Sequence, residues 1–135
     1  MIENTIFALS TVWGKSGIAV LRLSGPSCKN VFKSLCGIKM LAPRKAHYTE
    51  ICDTQRKLID KGLVIFFKGP HSFTGEDMLE IHVHGSIAII KKLLKVLNSF
   101  KNLKPAEPGE FSKRDYIIEI IKNNFLAFGF SQIET

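Results

Sequence analysis

Leu79-Glu80-Ile81-His82-Val83-His84 is the stretch from which the fold is read. Apolar and polar residues alternate strictly, which puts Leu79, Ile81 and Val83 on one face of a β-strand and Glu80, His82 and His84 on the other. Such a strand is half buried, so something apolar must cover its inner face. The residues that follow supply a cover. From about Ser86 to Phe100 the spacing of Ile90, Leu93, Leu94 and Leu97 predicts a helix with one apolar stripe, and its other face is basic. Upstream, the turn Gly69-Pro70-His71-Ser72 separates this strand from two more β segments, His47 to Cys52 and Leu58 to Phe67. The polar stretch Asp53-Thr54-Gln55-Arg56-Lys57 between those two suits a hairpin.

The N-terminal part adds two strands and a helix. Thr5 to Leu9 ends at a polar, Gly-containing turn, Ser10 to Gly17, and Ile18 to Leu23 is apolar on both faces except for Arg22. Gly25-Pro26 is expected to open a helix with Pro26 in the first position, where its missing N–H costs nothing. Cys28, Val31, Phe32, Leu35 and Cys36 then form an apolar stripe, and Gly37 supplies a stop. The order of two strands, a helix, three strands and a helix describes an α+β fold in which helices pack on one face of a mixed sheet. Pro105 to Gly109 is a Pro/Gly-punctuated connection to a last segment.

A chain of 135 residues, 45% hydrophobic and 23% charged, has the bulk of one domain with an ordinary core. No apolar run approaches the ~20 residues of a bilayer span. Met1-Ile2-Glu3-Asn4 carries an acid where a secretory signal carries basic residues, so a cytoplasmic location is expected. Cys28, Cys36 and Cys52 are odd in number and contain no C-x-x-C pair, which favours buried thiols over a disulfide framework or a zinc ribbon. Nineteen Lys and Arg against twelve Asp and Glu give +7, a field that favours polyanions such as RNA.

Gly14-Lys15-Ser16 invites a phosphate-loop reading that fails on spacing. The required earlier glycine would fall at Leu9, inside a strand, and a strand rather than a helix follows Ser16. No GTP, potassium or magnesium site is therefore expected. Glu80, His82 and His84 share one side of a sheet and are potential metal ligands, although the wet face of a half-buried sheet is the preferred reading. Glu80 also suits the N–C–N edge of a pterin or guanine, to which a carboxylate makes paired hydrogen bonds, and the guanidinium of Arg22 suits a ligand carboxylate or carbonyl on the same surface. Glu76 and Asp77, in the turn Phe73-Thr74-Gly75-Glu76-Asp77, either orient neighbouring basic groups or are solvated. Lys91, Lys92, Lys95, Lys101 and Lys104 form a basic stripe, which is either a solvated helix face or a contact for RNA phosphates.

Taken together, these stretches resemble the N-terminal domain of the tRNA-modifying GTPase family MnmE/TrmE. The matching residues are Thr5-Ile6-Phe7-Ala8, Gly17 through Pro26, Pro43-Arg44, His47-Tyr48, Ile59 through Gly62, Ser72 through Asp77, Glu80 through Gly85 and Glu107 through Arg114. The resemblance implies a folate-binding domain over 1–114, related to the aminomethyltransferases, followed by a divergent tail over 115–135. It implies a homodimer that binds 5-formyl- or 5,10-methylene-tetrahydrofolate, with Arg22 and Glu80 at the family's folate contacts. It further implies a part in adding a carboxymethylaminomethyl group at C5 of the wobble uridine of tRNA. The flavoprotein MnmG is then a partner, and a GTPase domain outside these residues drives the cycle. Two departures stand out. Lys15 replaces the arginine of the family's Gly-Arg-Gly-Gly turn, and the family's folate-contacting lysine falls on Ile120 when the chain is matched without a gap, or on Ala127 when Ser131-Gln132-Ile133-Glu134 is matched to the family's Thr-Gln-Ala-Glu, with Lys122 nearby. No complete catalytic site is read from the chain, so Arg22 and Glu80 are assigned to ligand positioning. Two other functions remain open on the same scaffold: an autonomous folate-binding or aminomethyl-transfer protein, and a basic RNA-binding module.

Overall fold

The computed structural model describes residues 4–11, 17–37 and 42–114. Its strands are β1 (Thr5–Leu9), β2 (Ile18–Ser24), β3 (Ala46–Cys52), β4 (Leu58–Phe67), β5 (Met78–His84) and β6 (Leu103–Pro105), and its two longer helices are α1 (Cys28–Leu35) and α2 (Ile87–Asn98). The strands form one sheet in the order β3-β4-β5-β2-β1-β6. Four of the five neighbouring pairs are antiparallel and β1–β6 is parallel, so the fold is α+β with a mixed sheet, as expected. The parallel pair comes from a strand the sequence reading did not anticipate, since β6 is only three residues long and ends in proline.

The alternation along β5 is decisive for the layers. Leu79, Ile81 and Val83 are buried with Ala19, Leu21 and Leu23 of β2 and with Val64 and Phe66 of β4. The apolar stripes of both helices complete this core: Val31, Phe32 and Leu35 from α1, and Ile90, Leu93 and Leu97 from α2. Both helices therefore lie on one face of the sheet, and the even-numbered residues of β2 and β5 face away from them. Ser86 caps α2 by accepting from the Ile89 N–H at 3.5 Å. Asp53 closes the β3–β4 hairpin by accepting from the N–H groups of Gln55 and Lys57 at 2.8 and 2.9 Å.

Two local expectations are corrected. α1 starts at Cys28 rather than at Pro26, because Thr5 Oγ1 takes the Ser27 N–H at 2.8 Å and Gly25 holds a φ of +138° that only glycine tolerates easily. The apolar run ending in Phe66-Phe67 would lead one to expect that both rings need cover from a second copy of the chain, but Phe66 is already 1% exposed beneath the helices, and of the two only Phe67 turns to the open face. Cys28 and Cys36 are buried and free, and Cys52 is half buried. Burial pushes the Cys28 thiol far above its ordinary range, and burial followed by the nearby Cys52 pushes Cys36 up to about 12.

Beyond residue 105 the chain returns to the sheet. Residues 110–114 are helical, and Arg114, with 6% of its side chain exposed, ties this turn to the start of the domain. Its Nη1 donates to the Ser24 carbonyl at 3.1 Å and to Glu76 Oε1 at 2.7 Å, and its Nη2 donates to the Asn4 carbonyl at 3.0 Å. Glu76 also accepts from Ser24 Oγ at 2.8 Å, and Ser24 Oγ is 2.6 Å from Thr74 Oγ1. Of the two readings for Glu76, the structure thus selects the orienting role. No helix among the described residues is long and apolar enough to cross a membrane.

Candidate ligand cleft on the open face of the sheet

The β2–β5 register sets Arg22 directly opposite Glu80. Since both are even-numbered in strands whose odd positions are buried, they meet on the face that carries no helix. Arg22 Nε donates to Glu80 Oε2 at 3.0 Å, with 40% of the arginine side chain and 16% of the glutamate side chain exposed. The other carboxylate oxygen, Oε1, lies 3.1 Å from His82 Nε2, two residues along the same strand. The two residues read from the sequence as separate ligand contacts are therefore joined, and among the described residues each Glu80 oxygen has one protein partner. A carboxylate offers about four acceptor sites, so both oxygens keep a lone pair for a further donor.

Phe67, Phe73 and Met78 surround this pair and form with it a cleft of about 120 Å³. Phe73 is 53% exposed, and with Phe67 and Met78 it makes an apolar patch beside the ion pair rather than a single surface hydrophobe. The Arg44 guanidinium stands 6.0 Å from the centroid of the Phe67 ring and braces it from outside. Sequence reasoning missed these walls. The signal for Phe73 was available, since it lies in a polar turn with no apolar period to place it in a core.

A second cleft, of about 140 Å³, continues along the same face between Ile18, Lys61, Leu63, His82 and His84. His84 does not join Glu80 and His82. Its Nδ1 is 2.9 Å from Asp60 Oδ2 and its backbone N–H donates to the same oxygen at 2.9 Å, because Asp60 of β4 lies beside the end of β5. The three residues considered as metal ligands thus split between two partners. Among the described residues no group of three His, Cys, Asp or Glu side chains converges as a metal set. Gly14, Lys15, Ser16, Ile120, Lys122 and Ala127 lie outside the described residues.

Burial acts to raise the Asp60 carboxyl, but the hydrogen bonds from the His84 backbone and ring and from the Lys61 N–H outweigh it and hold the group below its ordinary range. A carboxyl with a depressed folded value contributes stability that is complete above its ordinary value and is lost as the pH falls through the depressed one. Thermal unfolding between pH 5 and pH 2.5 is expected to show this loss beginning near pH 4 and extending below it. Asp60→Asn should make that acid limb shallower, the remainder coming from Asp53 and Glu110, which are also held below their ordinary range.

The chain is similar to known proteins over most of its length. The family model described as GTP-binding protein TrmE N-terminus matches residues 5–119. Among similar proteins, the tRNA modification GTPase MnmE of Orientia tsutsugamushi is 45% identical over 118 residues, which are 87% of this chain and 26% of that protein. The MnmE of Parvibaculum lavamentivorans is 47% identical over 84% of this chain and 26% of its own length, and that of Anaplasma phagocytophilum is 50% identical over 84% and 25%. The chain spans about a quarter of the length of the curated relatives it matches. With the match running from β1 into the turn that carries Arg114, and with identities of this size, the chain belongs to the TrmE N-terminal family, that of the N-terminal domain of tRNA modification GTPases.

Proposed function

We propose that this domain binds a reduced one-carbon folate, 5-formyl- or 5,10-methylene-tetrahydrofolate, in the Arg22–Glu80 cleft, and that it does so as a homodimer. The observation that carries the reading is a single carboxylate, Glu80, held in place by Arg22 and His82 beside the exposed ring of Phe73. The chemistry of these side chains fits a pterin. A fixed carboxylate accepts two charge-assisted hydrogen bonds from an N–C–N edge, Arg22 donates to an oxygen, and Phe67 and Phe73 offer apolar surface to a flat ring. When bound, the folate would supply a one-carbon unit. The residues of this chain would orient the ring and keep water from its faces.

The wider role is modification of the wobble uridine of tRNA at C5, in the cytoplasm, a reading that likeness to tRNA modification GTPases supports. MnmG is then the flavoprotein partner, and GTP hydrolysis belongs to another part of the relatives. The homodimer accounts for the apolar residues left on the open face, where Tyr48 is 69% and Leu63 40% exposed. Equilibrium dialysis against 5-formyltetrahydrofolate, with sedimentation of the same samples at tens of micromolar, tests the reading. Retention of folate by a dimer is expected, and a folded chain that retains none contradicts the proposal.

A further inference from the structure

Charge in this fold is sorted by face. The outer surfaces of α1 and α2 carry Lys29, Lys33, Lys91, Lys92 and Lys95, all exposed, and neither helix contains an Asp or a Glu. The acids of the described residues lie elsewhere. Glu80 and Glu50 are on strands, Asp60 holds His84, Glu76 and Glu110 hold Arg114, Asp77 accepts from the Gly69 N–H, and Glu107 is in the connection after β6. Asp53, in the β3–β4 hairpin, lies within electrostatic reach of Lys92.

Helix stability accounts for only part of this arrangement: Lys33 and Lys95 sit in last turns, where the backbone dipole favours a cation, but Lys29, Lys91 and Lys92 do not. An acid in the first turn of a helix is favoured by the backbone dipole, and neither helix has one. Opposite charges four residues apart stabilise a helix, yet Lys29 and Lys33, and Lys91 and Lys95, are like-charge pairs at that spacing. The same surface carries little that suits a lipid bilayer or an apolar partner. Ile87, 45% exposed, is its one large exposed hydrophobic residue, whereas Tyr48, Leu63 and Phe73 are exposed away from these helices. Lysines spaced along two helices, without arginine forks or aromatic platforms, suit repeated phosphates rather than bases.

We propose that the lysine face of α1 and α2 docks the phosphate backbone of RNA, on the side of the sheet opposite the Arg22–Glu80 cleft. The two faces would then divide the work, one holding a small ligand and the other a polyanion. The inference does not depend on the folate reading, since it uses none of the cleft residues. Five phosphate contacts would give a salt slope of roughly −3.5 to −4.5 in log K against log of salt concentration.

Fluorescence anisotropy of a labelled, unmodified tRNA transcript tests it, with the parent chain titrated at 50, 100 and 200 mM salt. The triple variant Lys91→Ala, Lys92→Ala, Lys95→Ala should weaken binding at least tenfold at 50 mM and make the slope shallower by about 2 to 3. The control triple Lys45→Ala, Lys68→Ala, Lys113→Ala removes the same charge from exposed positions outside both helices, and should keep the parent's slope. Circular dichroism checks that both variants are folded. The inference is overturned if the helix variant binds like the parent, or if the control loses as much. It is equally overturned if the parent binds acidic vesicles or an acidic protein but not tRNA.

Discussion

Arg114→Ala is expected to lower the unfolding free energy by about 3–5 kcal/mol, the usual result of removing one partner from a buried, hydrogen-bonded ion pair. The cost is large because the arginine satisfies several groups at once. Without it the Glu76 carboxylate keeps, among the described residues, only the Ser24 hydroxyl, and the Ser24 and Asn4 carbonyls lose their buried donor. Glu110, whose Oε2 is 3.5 Å from Arg114 Nη2, keeps Lys104 at 3.6 Å. Arg114→Lys should recover only a fraction, since an ammonium cannot reach both carbonyls and the carboxylate with the geometry of a fork. Thermal unfolding followed by circular dichroism checks the series. A fall of less than about 1 kcal/mol for the alanine variant would show that the turn at 110–114 is not fastened in solution as it is here.

Gly62→Ala is the second large effect. A Cβ built on Gly62 comes within 2.0 Å of the His82 carbonyl oxygen, a backbone atom in the paired strand, so β4 and β5 would have to move apart. Overpacking of this kind costs typically about 1–3 kcal/mol, and a clash with backbone belongs at the upper end, near 3. For a domain of this size that is a fall in Tm on the order of 10 °C. Gly37→Ala is the matched control, because nothing lies within 4 Å of the added carbon, and it should change stability by less than about 0.5 kcal/mol. Since His82 also holds Glu80, the Gly62 variant is expected to disturb the cleft as well as the sheet.

How these features relate to the sequence differs from residue to residue. The strict alternation of β5 made its two faces plain, and with them the side on which Glu80 sits. Arg22 was conspicuous as the one charge in an apolar strand. Their pairing is another matter, because they are 58 positions apart and only the β2–β5 register brings them together. The run Leu63-Val64-Ile65-Phe66-Phe67 is apolar throughout and hides its alternation, so Phe66 and Phe67 could not be told apart until the helices covered one of them. β6 has no pattern of its own; three residues ending in proline become a strand by lying alongside β1. Arg114 carried a family motif but no local sign of its role, since each of its partners other than Glu110 is distant in sequence. His84 followed the alternation and still left its group, because its position at the strand end put Asp60 nearer than Glu80.

Calorimetric titration of 5-formyltetrahydrofolate into the parent chain and into Glu80→Gln tests the ligand cleft most directly, with Lys95→Ala as the reference for a charge removed from the opposite face. Replacing the carboxylate leaves one donor of an N–C–N edge without its charged acceptor, a loss of about 1–3 kcal/mol. The expected result is a tenfold to hundredfold weaker Kd for Glu80→Gln, with Lys95→Ala unchanged from the parent. Equal affinity for the parent and a correctly folded Glu80→Gln would contradict the assignment of this cleft to the folate.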